Sequence, residues 1–178
     1  QGNNMSITQT TSQGIEGAGS EYLAFTLGSE EYGIDILKVQ EIRGYEAVTR
    51  IANAPEFIKG VINLRGRVVP AVDLQARFER PGREPDKRTC IVIIDVVHEG
   101  ASHEIGVVVD AVCAVLEIPD SEVEPAPSFG ARIRADFIRG MGKVDGEFVI
   151  ILDVARVLSV DEMAMLAKAA DSSYSETA

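Results

Sequence analysis

Phe57-Ile-Lys-Gly-Val-Ile-Asn-Leu-Arg-Gly-Arg-Val-Val-Pro-Ala-Val-Asp-Leu-Gln-Ala-Arg-Phe78 returns 80 residues later as Phe137-Ile-Arg-Gly-Met-Gly-Lys-Val-Asp-Gly-Glu-Phe-Val-Ile-Ile-Leu-Asp-Val-Ala-Arg-Val-Leu158. Six of the 22 positions are identical: Phe57/Phe137, Ile58/Ile138, Gly60/Gly140, Gly66/Gly146, Val69/Val149 and Asp73/Asp153. Chance gives on the order of one. Lys59/Arg139, Val61/Met141, Leu64/Val144 and Leu74/Val154 keep their character. Each copy reads as two strands around a tight turn, with Gly66 and Gly146 suited to a positive φ. An aspartate then caps a short helix, Asp73 in one copy and Asp153 in the other. The chain is built from two diverged copies of one small β unit.

The flanks repeat as well. Tyr22 to Leu27 alternates, Gly28-Ser29-Glu30-Glu31 offers a turn, and Tyr32 to Ile36 resumes the strand, which is a hairpin pattern. Gly33-Ile-Asp-Ile36 lies opposite Gly106-Val-Val-Val109 at an offset of 73, so the second copy carries seven extra residues within its Pro-rich region 116–136. Cys90 to Val97 and Ile105 to Val109 flank a polar loop, His98 to Glu104. These strands are apolar on both faces, as strands buried between two layers are. Sheets of four or five short strands must curl or pair to bury their edges. The expected architecture is all-β, two small barrels packed together.

The polar loop Pro81 to Lys87 is the expected module boundary, dividing the copies at about 21–85 and 86–158, with some strand exchange possible between them. Residues 1–20 are polar and low in complexity and read as a disordered tail. Ser159-Val-Asp-Glu162 is a capping box, and Met163, Leu166, Ala167 and Ala170 follow at helical spacing. A C-terminal amphipathic helix is expected over 160–170, with a frayed tail at 171–178.

Composition excludes several classes. Hydrophobic residues make up 46% of the 178, enough for a core, and the net charge of −11 opposes binding to nucleic acid or anionic lipid. No apolar run approaches the ~20 residues that span a bilayer. Cys90 and Cys113 lie in apolar runs and read as reduced, buried thiols. These features place the chain in the cytoplasm. His98 and His103 share a loop with Glu99 and Glu104, but that spacing is poor for a metal. Neither a phosphate loop nor a nucleophile elbow is present. The expectation is no enzyme, no metal and no cofactor. Trp is absent and aromatics are 6%, which leaves little stacking surface for single-stranded nucleic acid.

Binding features are stronger. Equivalent turns carry Arg65 and Arg67 in one copy and Asp145 and Glu147 in the other. Either surface drift or two different binding faces accounts for this. Residues 38–88 hold 11 Lys/Arg against 7 Asp/Glu, a balance of +4, which leaves −15 for the rest of the chain. Val39, Ile42 and Val48 lie in a charged segment. That pattern fits a half-buried strand, and equally an apolar patch rimmed by charge.

Glu31-Tyr-Gly-Ile-Asp-Ile-Leu-Lys-Val-Gln-Glu-Ile-Arg43, Ile51-Ala-Asn-Ala-Pro-Glu-Phe-Ile-Lys-Gly-Val-Ile-Asn-Leu-Arg-Gly66 and Val69-Pro-Ala-Val-Asp-Leu74 closely resemble the CheW-like domains of bacterial chemotaxis coupling proteins. The resemblance covers roughly 21–168. It implies two five-stranded SH3-like barrels and a scaffold that links the cytoplasmic tips of methyl-accepting chemoreceptors to the regulatory domain of the histidine kinase CheA. It implies a monomer when free, recruited to membrane-associated receptor clusters. A receptor-facing groove would use Val39, Glu41, Ile42, Gly60, Asn63, Leu64 and Arg65, with Val112 and Val115. A kinase-facing surface would include Glu124, Pro125, Pro127 and Phe129. Some family members have arginine where this chain has Glu124. The alternatives are the CheW-like domain of a CheV-type protein and a nucleic-acid-binding small β barrel.

Overall fold

The computed structural model describes residues 20–157 apart from 47, 82–83 and 127–134. The expected tails and the helix over 160–170 lie outside the described residues, as do Pro127 and Phe129. Eleven strands are described: β1 (Ser20–Leu27), β2 (Glu30–Asp35), β3 (Val39–Gly44), β4 (Ile58–Leu64), β5 (Arg67–Asp73), β6 (Cys90–His98), β7 (Ala101–Val109), β8 (Ala111–Ile118), β9 (Val123–Glu124), β10 (Ile138–Val144) and β11 (Glu147–Leu152). Two one-turn helices, α1 (Leu74–Arg77) and α2 (Val154–Val157), follow β5 and β11. The Asp73 carboxylate accepts from the backbone of Gln75 and Ala76, as its cap position requires.

The strands form two sheets, β8-β1-β2-β11-β10-β9 (sheet A) and β3-β6-β7-β5-β4 (sheet B). Each is assembled from both sequence copies. β2 runs parallel to β11, with Gly33 opposite Ile151, and β7 runs parallel to β5, with Gly106 opposite Ala71. These pairs are equivalent under the repeat, so each hairpin docks on the Phe-Ile block of the other copy. Sheet B is the continuous stretch Val39 to Val109, set between the two parts of sheet A. Strands are thus exchanged between the two expected copies in both sheets. Pro81 to Lys87 falls between β5 and β6 of one sheet, and the chain changes sheet at the 3-10 turn Ile36–Lys38 and at Asp110. A polar, Pro-broken loop marks any surface connection, whereas a division between sheets is set by pairings distant in sequence.

Burial follows this topology. Ile91 and Ile93 point into a core within sheet B with Ile62, Leu64, Val69 and Ala71. Val92, Ile94 and Val96, on the opposite face of the same strand, join Leu23, Phe25 and Ile34 of sheet A in the core between the sheets. β6 is thus apolar on both faces because each face meets a different core. A smaller core in sheet A gathers Tyr22, Ile118 and Ile151. Phe25, Tyr32, Phe78 and Phe137 stack in series at 5.8–6.0 Å across the joint between the sheets. Arg80 pairs there with Glu30.

The identical glycines fall into two groups. Gly66 (φ 86°) and Gly146 (φ 83°) follow Arg65 (φ 53°) and Asp145 (φ 51°), the paired left-handed residues of tight hairpins. Gly60 and Gly140 are needed for close approach. A Cβ on Gly60 would lie 2.2 Å from the Thr49 carbonyl oxygen, and one on Gly140 would lie 2.5 Å from Val123 Cγ1. At these places the chain leaving β3 bridges β4 (Thr49 opposite Val61), and β9 pairs with β10 (Glu124 opposite Met141).

Candidate functional site

β3 is an edge strand, and its side chains alternate between half-buried and exposed. Val39 turns inward against the core between the sheets. Glu41 and Arg43 are half-buried, and Ile42 is left 45% exposed. A β-bulge between Val39 and Glu41 shifts the register, so that Val39 lies opposite Ile94 and Ile42 opposite Val92, two residues on one face of β6; Val39 and Ile42 therefore share a face. Just before β3, Leu37 is 88% exposed in the 3-10 turn. The sequence reading missed it, because Ile36-Leu-Lys38 reads as more strand and the break is set by Asp35, which accepts from Leu37 N at 3.0 Å.

The β4–β5 turn supplies the charge. Arg65 Nη2 donates to Glu41 Oε1 at 2.7 Å, across 24 residues of sequence. Asn63 Oδ1 accepts from Gly66 N at 2.8 Å and fixes the turn from which Arg65 projects. Arg43 donates to Glu46 at 2.8 Å and reaches Glu41 at 3.4 Å. The hydrogen bond from Arg65 is the main reason the Glu41 carboxyl is held below the usual carboxylate range. The result is a charged network beside exposed apolar residues, the anatomy of a transient protein interface.

The structure separates the expected contact residues. Glu41 and Arg65 meet through their hydrogen bond at the turn that Asn63 fixes, while Ile42, next to Glu41 on β3, points to the other face of the strand. Leu64 is fully buried in the sheet B core, and buried Gly60 serves the close approach to Thr49, so neither offers a side chain to a partner. Both entered the expected groove through the family resemblance, and β4 turns the Leu64 side chain inward. Val112 and Val115 lie on β8, the edge strand of sheet A, at the positions equivalent to Val39 and Ile42. Val112 packs on the same core as Val39, and Val115 is 51% exposed. Glu124 and Pro125 are exposed at β9.

Two other expectations change. Cys113 is exposed, because the middle of edge strand β8 is uncovered, while Cys90 is half-buried; both are free. The polar stretch His98 to Glu104 is the tip of the β6–β7 hairpin, with only Glu99-Gly100 as its turn. Among the described residues no three His, Cys, Asp or Glu side chains converge on a metal-sized site.

Two mixed sheets with an exposed apolar edge and a charged turn define a protein-binding scaffold. The comparisons identify which one. The model of the CheW-like domain matches residues 21–162. The chain is 45% identical to the chemotaxis protein CheW of Klebsiella aerogenes over 157 residues, covering 88% of this chain and 92% of that one. It is 33% identical to the chemotaxis protein CheW of Rhizobium meliloti over 148 residues, covering 83% and 93%. The crystal structure of the scaffolding protein TtCheW from Thermoanaerobacter tengcongensis superposes with a TM-score of 0.73 at 34% identity, covering 81% of this chain and 90% of that one. The chain belongs to the CheW-like domain family of chemotaxis coupling adaptors.

Proposed function

We propose that this chain is a non-catalytic adaptor that couples the cytoplasmic tips of chemoreceptors to the histidine kinase CheA. It works in the cytoplasm and is recruited to membrane-associated receptor clusters. The observation that carries the reading is the Glu41–Arg65 hydrogen bond, which joins two of the residues expected to face the receptor although they are 24 positions apart in sequence. A helical receptor tip fits here, with apolar contacts at Leu37 and Ile42 and polar ones at Asn63 and Arg65. The kinase contact is assigned to the exposed Glu124-Pro125 end of β9 together with Pro127 and Phe129. A glutamate at position 124 favours a basic partner group there.

The test is a reconstituted assay with receptor-containing membranes and CheA, with and without this protein. The expected result is receptor-dependent control of autophosphorylation only when the chain is present. Kinase activity that ignores it would overturn the proposal.

A further inference from the structure

A cavity of about 380 Å³ opens on sheet A between the β1–β2 turn and β11, lined by Glu30, Glu31, Met141, Glu147, Phe148 and Ile150. Phe148 is 51% exposed there. The internal repeat shows what this place holds in the other sheet. Glu147 is equivalent to Arg67 at the offset of 80, and Glu31 to Glu104 at the offset of 73. The parallel strands that carry them have the same register in both sheets. In sheet B, Arg67 Nη2 donates to Glu104 Oε2 at 2.8 Å. In sheet A the arginine position is a carboxylate, so two acidic residues line one cavity where sheet B has an ion pair. Glu30 is already committed to Arg80. Among the described residues neither Glu31 nor Glu147 has an ion-pair partner. Carboxylates lining one cavity without an ion-pair partner favour an incoming cation.

We infer that this cavity docks an arginine side chain from the kinase partner, in the place that Arg67 takes against Glu104 in sheet B. A guanidinium matches the site on both counts, since it hydrogen-bonds carboxylates and stacks on an aromatic face. Lys143, whose Nζ lies 5.9 Å from the centre of the Phe148 ring, shows that this ring accepts a cation. The kinase is the partner because the cavity continues the surface assigned to it. Met141, in the cavity wall, pairs in register with Glu124. The inference therefore rests on the proposed coupling function.

Affinity for the purified CheA regulatory domain is measured by titration calorimetry for the wild type, Phe148→Ala and Glu147→Arg. Receptor binding is followed separately by co-sedimentation, and folding by thermal unfolding. Glu147→Arg installs the chain's own arginine where sheet B has one, so it fills the site while preserving or raising stability. Both variants are expected to bind the kinase domain about tenfold more weakly, with receptor binding and unfolding temperature unchanged. Equal kinase affinity in all three proteins would overturn the inference and leave the coupling function standing, as would variants that lose receptor binding instead. A wild type that fails to bind the kinase domain would overturn both.

Discussion

Arg77 Nε donates to the backbone carbonyl of Val157 at 2.7 Å, and the two residues occupy the same position in the two sequence copies. The Arg77 guanidinium also lies 5.4 Å from the centre of the Phe57 ring and 4.7 Å from that of Phe137, themselves repeat equivalents. One arginine thus ties together matching points of both units, where the second copy offers only a valine and its carbonyl.

Replacing Arg77 by alanine removes a hydrogen bond from a charged donor and two cation–aromatic contacts. The expected cost is about 1–3 kcal/mol, read as a lower midpoint in urea unfolding. An unchanged midpoint would show that the joint is held by apolar packing alone.

Gly60→Ala and Gly140→Ala separate two kinds of close approach. The Gly60 Cβ would meet the backbone of Thr49, which cannot swing away, at a φ of 155°. The nearest atom at Gly140 is a methyl group of Val123, although the Glu124 carbonyl oxygen follows at 3.0 Å. Gly60→Ala is expected to destabilise by about 2–3 kcal/mol and Gly140→Ala by less. Calorimetric unfolding of the two variants checks the order.

Arg65→Glu sets a second carboxylate against Glu41 on an exposed turn. Stability is expected to change little, since exposed pairs contribute little. Association with receptor-containing membranes should fall sharply. Undiminished co-sedimentation would remove Arg65 from the receptor surface.

Acid releases the same tie. The Glu41 carboxyl titrates below its unfolded value because Arg65 donates to it. A depressed carboxylate contributes its stability above the unfolded pKa and loses it as pH falls through the folded one. The Glu41–Arg65 contact therefore persists through neutral pH and opens only in acid, below the ordinary carboxylate range. NMR titration of the Glu41 side chain should show its midpoint rising in Arg65→Ala.

Local features of this fold were legible in the sequence. The repeat, both tight hairpins, the Asp73 cap and the doubly apolar β6 all follow from patterns within a few residues. Exchange of strands between the copies was legible only as a possibility, because nothing near Gly33 or Gly106 records that each pairs across a long stretch of chain. The site divides in the same way. Arg65 stood out by its turn and by contrast with Asp145, but its partner Glu41 entered only through the family resemblance. Leu64 and Gly60 shared the motif and were assigned to the surface with it, although strand alternation sends Leu64 inward. Glu31 and Glu147 are seen to line one cavity only once β2 and β11 are known to be neighbours.

The nesting of sheet B between the two parts of sheet A also sets an order of events during synthesis. A ribosome delivers β1 and β2 first, but their sheet partners β8, β10 and β11 emerge only after residue 110. Sheet B has all of its strands as soon as Val109 has left the exit tunnel. The nascent chain therefore completes its middle first, while the earliest hairpin waits, with its apolar face, for the last strands to arrive.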